Sequence, residues 1–142
     1  RGTFFGMRMD STRADLTQAE LEGVAFAIRD SFEVAKSLGL SIPKSMICGG
    51  GAKSPLWRTI FANVLGIPLP LPQTEQGPGY GGAVLAMVGC GAFESVQAAC
   101  DTLIHVAQTV EPDAELTARY EERYRKFQQI YPALKNVFPA LK

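Results

Sequence analysis

Apolar residues recur at helical spacing through Leu21, Val24, Ala25, Ile28, Phe32, Ala35 and Leu38, which predicts a long amphipathic helix. Thr17 and Glu20 have capping-box spacing at its start, and Gly39 is placed to end it. The preceding stretch, 1–14, reads as an extended or looping entry with Gly2 and Gly6 around an aromatic pair. Beyond Pro43 the period changes. Ser45-Met46-Ile47-Cys48 is short, apolar and bounded by three glycines, the pattern of a buried strand. Ser54-Pro55 then predicts a helix start, with Leu56, Trp57, Ile60, Phe61, Val64 and Leu65 on its apolar face and Gly66 at its end.

Residues 67–71 alternate like a strand, but Pro68 and Pro70 lack N–H groups on one side, which predicts a sheet edge. A glycine-rich turn, Gly77 to Gly82, leads into Ala83–Val88, apolar all round and therefore expected to be a buried helix. Residues 93–108 read as helical. Pro112-Asp113 opens a last helix with Leu116, Tyr120, Tyr124, Phe127 and Tyr131 on one face. Strands alternating with helices predict an α/β fold with a parallel sheet and flanking helices. Two strands make that sheet thin for a free-standing domain. The 142 residues therefore read as a single partial domain.

Composition narrows the function. Fourteen Lys and Arg balance fourteen Asp and Glu, so the chain has no electrostatic footprint for nucleic acid or an anionic membrane. Gly, Pro or charge interrupts every long apolar stretch, so no bilayer span is expected. Cys48, Cys90 and Cys100 are odd in number and lie among small or apolar residues, as buried free thiols do. With no signal peptide, they point to a reducing, cytoplasmic setting. A chain that opens on Arg1 reads as a piece of a longer product.

The chemistry concentrates in Cys48-Gly49-Gly50-Gly51-Ala52-Lys53-Ser54-Pro55. Glycines ahead of a helix start bare main-chain N–H groups and let an anion approach the backbone closely. A single glycine there would be a tight turn needing positive φ; three with a Ser-Pro helix start favour phosphate or nucleotide binding. Neither neighbouring motif holds. Ala52 and Ile47 stand where a P-loop needs glycine, and Gly77, Gly79 and Gly82 match G-x-G-x-x-G without the acidic residue at the dinucleotide distance. The single histidine, His105, rules against a His-based metal site or triad and reads as a polar residue on a peripheral helix. Trp57 reads as core. The acidic residues near the first helix read as capping and solvation, with Glu22 beside Gly23 a candidate to face another segment.

Three blocks, RGTFFGM from Arg1, Asp15-Leu16 through Ala25, and GGGAKSPLW from Gly49, resemble the carboxy-terminal part of the FGGY carbohydrate kinases, nearest to the xylulose-phosphorylating members. Gly79 to Ala83 and the YPAL element at Tyr131–Leu134 extend the resemblance over nearly the whole chain. Glu20 departs from the family signature, which has a small or aliphatic residue there. The resemblance implies a ribonuclease H-like, actin-like ATPase lobe, with ATP in a cleft and the sugar site and aspartate base on an amino-terminal lobe that this chain lacks. It implies transfer of the ATP γ-phosphoryl group to a sugar hydroxyl, D-xylulose first, with Mg2+ shielding the phosphates. Within this chain it implies no catalytic or metal-binding residue. The nucleotide would meet Gly49, Gly50, Gly51, Ala52, Lys53, Ser54 and Pro55, with the N–H groups of Gly50, Gly51 and Ala52 on phosphate and Ser54-Pro55 bordering the adenosine. Lys53 either adds a charge or points to solvent. A kinase of glycerol, gluconate or ribulose, or a non-catalytic nucleotide-binding or assembly module, are the alternatives, and a homodimer is left open.

Overall fold

The computed structural model describes residues 2–74 and 77–140; Arg1 of the first resemblance block lies outside them. They form α1 (Arg13–Ser37), a 3-10 turn (Gly50–Lys53), α2 (Pro55–Leu65), β1 (Leu69–Pro72), α3 (Gly77–Gly89), α4 (Val96–Leu103), β2 (Val106–Val110), α5 (Ala114–Phe127) and α6 (Ile130–Leu134). A second 3-10 turn, Phe138–Ala140, closes the described chain. Two compact units emerge. One comprises Arg1–Ile42, Ile60–Gly66 and Pro112–Lys142, the other Pro43–Thr59 and Ile67–Glu111.

The first unit is built on α1. Its cap is Thr12, not Thr17: the Thr12 hydroxyl accepts from the Asp15 N–H at 3.3 Å, and Asp15 accepts from the Thr12 N–H at 2.8 Å. Both pairs have capping-box spacing, and the earlier one closes. Thr17 lies inside the helix, where its hydroxyl donates to the Arg13 carbonyl at 3.0 Å, and Glu20 is exposed in mid-helix. Glu22, Ala25 and Phe26 turn one face of α1 inward. Phe26 packs against Tyr120, Tyr124 and Phe127 of α5 with ring centroids 6.1, 5.9 and 5.3 Å away, and Ile60 and Val64 complete this core.

Most polar groups around that core are paired, the buried Thr117 hydroxyl excepted among the described residues. Glu22 accepts from the Tyr120 hydroxyl at 3.0 Å and from Arg123 at 2.9 Å, so it does face another segment. Arg29 stacks 4.1 Å from the Tyr124 ring centroid, donates to the Val64 carbonyl and pairs with Glu121. The buried Asn63 amide oxygen accepts from the Asp113 N–H at 2.7 Å, fixing the residue that caps α5. Tyr131 does not extend the α5 face. That helix ends at Phe127, and Tyr131 is exposed on α6, stacked on Phe138.

The second unit departs more from expectation. The sheet among the described residues is antiparallel, β1 against β2, and not parallel. Residues 106–110, expected to be helical, form its second strand, while α4 stops at Leu103. Ser45–Cys48 is not a strand; the Ser45 N–H donates to the carbonyl of Pro68, the residue before β1, at 3.4 Å. The prolines explain this. A parallel ladder in that register needs a return bond from residue 70 to the Ser45 carbonyl, and the next from residue 72 to the Ile47 carbonyl. Pro70 and Pro72 have no N–H to give.

The expected turn at 77–82 is the first part of α3: Gly77 has φ +55°, whereas the later glycines are helical. Tyr80 steadies the helix by donating its hydroxyl to the Leu103 carbonyl at 3.0 Å. α3 is not buried all round. Val84 is buried, but Leu85 is 60% exposed, because packing from α4 covers one side. Cys48 and Cys90 are likewise exposed and Cys100 is half-buried, against the expectation of buried thiols. Among the described residues no helix is long and apolar enough to cross a membrane.

Candidate functional site

All seven residues singled out by the sequence, Gly49 to Pro55, form one continuous turn in the second unit. Gly49 has φ +88°, a left-handed conformation that side chains resist, so its glycine is explained by the backbone alone. Gly50 and Gly51 carry no such constraint. A Cβ on Gly50 would meet nothing within 4 Å, and one on Gly51 would touch the Trp57 ring at an ordinary 3.8 Å. Neither conformation nor packing among the described residues calls for glycine at these two positions.

The main-chain groups separate the residues further. The Ala52 N–H donates to the Gly49 carbonyl at 3.0 Å, and the Ser54 N–H to the Gly51 carbonyl at 3.1 Å. Ala52 therefore has no N–H to offer an anion, correcting one expectation, and its methyl is buried. Gly50 and Gly51 are exposed, and their N–H groups have no partner among the described residues. Ser54 caps α2 by accepting from the Trp57 N–H at 3.3 Å, and Pro55 is the first helical residue, both as expected. The turn thus ends at the positive end of an eleven-residue helix. Lys53 is exposed. Trp57 is half-buried, and its ring walls the loop on the Gly51 side.

Sequence reasoning missed two features. Arg58 stands one helical turn beyond Ser54 with its Nε buried and without a hydrogen-bond partner among the described residues; the spacing of four from the cap was the available signal. Beside the loop, Met46 and Cys48 join Val84, Leu85, Val96 and Leu103 around an apolar cavity of about 360 Å³. His105, expected on a helix, lies between α4 and β2 at this cavity's edge. Its polar rim includes Tyr80, whose hydroxyl is engaged by Leu103, so the cavity offers volume and few free polar groups.

No group of three or more His, Cys, Asp or Glu able to hold an ion occurs among the described residues. The turn itself contains no carboxylate. It can receive an anion on free N–H groups, with the charges of Lys53 and Arg58 in the same stretch of chain.

The profile of the FGGY family of carbohydrate kinases, C-terminal domain, matches residues 1–90, which include the whole turn. The chain is 31% identical over 137 residues to xylulose kinase of Staphylococcus epidermidis, covering 96% of this chain and 28% of that one. It is also 31% identical to L-xylulose/3-keto-L-gulonate kinase of Escherichia coli, covering 98% and 28%. Among solved structures, a xylulose kinase from Brucella ovis superposes with a TM-score of 0.85 at 36% identity, again over 96% and 28%. The chain thus spans 28% of the length of these relatives.

Proposed function

The chain belongs to the FGGY family of carbohydrate kinases, and on that premise we propose that it is the nucleotide-binding part of an ATP-dependent sugar kinase. The longer protein transfers the ATP γ-phosphoryl group to a hydroxyl of a ketopentose, D-xylulose first among candidates. Residues 1–142 belong to a single carboxy-terminal lobe of the ribonuclease H-like, actin-like type, in a cytoplasmic enzyme. The sugar site and the base that takes the hydroxyl proton lie outside this chain, which alone is inactive.

The observation that carries the reading is the pair Gly50 and Gly51. Among the described residues their N–H groups have no partner, and a Cβ at either position would strain nothing there. What a side chain there would obstruct is an approaching ligand. A nucleotide phosphate fits: it accepts from both N–H groups and faces the positive end of α2. Gly49 shapes the turn, Ala52 anchors it, and Ser54-Pro55 borders the adenosine. Mg2+ supplies charge neutralisation on the phosphates when bound. With no carboxylate in the turn, its protein contacts come from elsewhere in the longer protein. Ketopentose specificity rests on relatives named for xylulose and L-xylulose.

Calorimetric titration of ADP into the longer gene product tests the loop. Gly50→Val should weaken binding by at least roughly tenfold, the scale of lost hydrogen bonds to a charged group, with the helical circular dichroism unchanged. Unaltered affinity in both Gly50→Val and Gly51→Val would remove the loop from the nucleotide site. Activity on a panel of xylulose, ribulose, gluconate and glycerol decides the sugar.

A further inference from the structure

The glycine loop continues into α2, and α2 is held at its far end by groups distant in sequence. Its last turn carries Val64, whose carbonyl would find a helical donor four residues ahead. That residue is Pro68, which has no N–H. Val64 is fully buried, so water does not fill the gap. Arg29 of α1 fills it, donating Nη1 to the Val64 carbonyl at 3.2 Å. One residue earlier, the Asn63 side chain accepts the Asp113 N–H at 2.7 Å.

Arg29 is itself fixed. Its side chain is 13% exposed, Nη2 pairs with Glu121, Nε lies 3.5 Å from Glu33, and the guanidinium lies 4.1 Å from the Tyr124 ring centroid. A planar fork with such partners is a stiff clamp. A cation at the last turn also complements the negative end of the α2 dipole. All of these contacts are made within the described residues, and none needs the rest of the longer protein. α2 begins in the second unit and ends in the first. Its eleven residues rise about 16 Å, so a tilt of about 4° around the last turn moves the first turn by about 1 Å. An error of that size is enough to spoil a productive ligand geometry.

We infer that Arg29 is a positioning residue for the nucleotide, acting through α2: by clamping the last turn it fixes where Gly50 and Gly51 present their N–H groups. The inference rests on the nucleotide reading of the loop. Arg29 needs no contact with the ligand, since its guanidinium is committed to Val64, Glu121 and Glu33. Coupling of this kind is reciprocal, so a nucleotide on the loop tightens the last turn in exchange.

Calorimetric titration of ADP into the longer gene product, at a temperature where each variant is folded by circular dichroism, is the test. Arg29→Met keeps an apolar stem and removes the donors. It should weaken ADP binding about three- to thirtyfold, the scale of coupling through packed elements. Arg29→Lys, which keeps a donor for the Val64 carbonyl, should recover most of that loss. Thr12→Ala, which removes the cap of α1 well away from Arg29, should leave the affinity unchanged and so separates positioning from general stability. In the parent protein, saturating ADP should slow exchange of the Gly66 amide, bonded to the Ala62 carbonyl, more than that of Ile104 at the end of α4. Binding weakened by Gly50→Val but not by Arg29→Met would keep the loop reading and overturn the role of Arg29. A Gly66 amide indifferent to ADP would overturn it too, without any substitution. A loop indifferent to both Gly50→Val and Gly51→Val would take the two readings down together.

Discussion

The two units spend their apolar residues differently. In the first, Phe26 is surrounded by three aromatic rings from α5, and the charges at the rim, Glu22, Arg29 and Arg123, are each bonded to a neighbour. In the second, a cavity of about 360 Å³ stays open beside α3, Leu85 faces outward, and the glycine loop keeps free N–H groups. Dense packing with most polar groups paired gives a rigid unit. Open apolar surface and unspent donors are what binding requires. Close packing and open, unspent surface thus fall to different stretches of one chain.

Truncating each region at a buried residue gives the largest expected contrast. Phe26→Ala should destabilise the protein by about 3–5 kcal/mol, because the ring leaves a hole among neighbours that cannot collapse into it. Val84→Ala, beside a cavity that already exists, should cost only the transfer of its lost methyls, about 1–2 kcal/mol. Urea denaturation of both variants checks this, and equal losses would erase the contrast.

The tyrosines of the first core give the next effect. Burial, followed by the Glu22 charge, pushes Tyr120 up to about 12, and burial, followed by the hydrogen bond to Asp30, does the same for Tyr124. A folded-state pKa above the ordinary 10.0 means stability fully present below pH 10 and lost as pH rises from there toward 12. Tyr124→Phe should shallow that alkaline loss, followed by circular dichroism against pH. At the acid end the sign reverses. The hydrogen bond from Arg29 lowers Glu121, so its contribution is present above the ordinary 4.5 and fades as pH falls below it.

The smallest effect concerns the start of α1. Thr12→Ala should cost ~1 kcal/mol by removing the cap, whereas Thr17→Ala should leave thermal stability nearly unchanged, since its hydroxyl bonds back to a carbonyl already inside the helix.

That last pair also shows where sequence is decisive and where it is not. Gly39, Gly66, Ser54-Pro55 and Asp113 are unambiguous because each supplies chemistry that only a helix end uses, and the structure places helix ends at all of them. Thr12 with Asp15 and Thr17 with Glu20 satisfy one rule equally, and tertiary context decides. β2 escaped notice because five residues after a helix carry too little periodicity, and its pairing depends on a strand almost forty residues earlier. The glycine turn was legible as a turn with a helix behind it. That Ala52 spends its N–H on Gly49 was not legible, because hydrogen-bond partners are set by φ and ψ, which three flexible residues leave open. The cavity lay beyond sequence reasoning, since an unfilled volume has no residue of its own.

Pro68, Pro70 and Pro72 also bear on how far an assembly of this chain can grow. The β1 edge away from β2 presents carbonyls but no amide donors, so an added strand could give bonds there and receive none back. Polymerisation through sheets needs two productive edges on every copy, one to bind and one to be bound. Among the described residues the β1 edge lacks the donors for that role, so strand addition cannot propagate through it into a fibre.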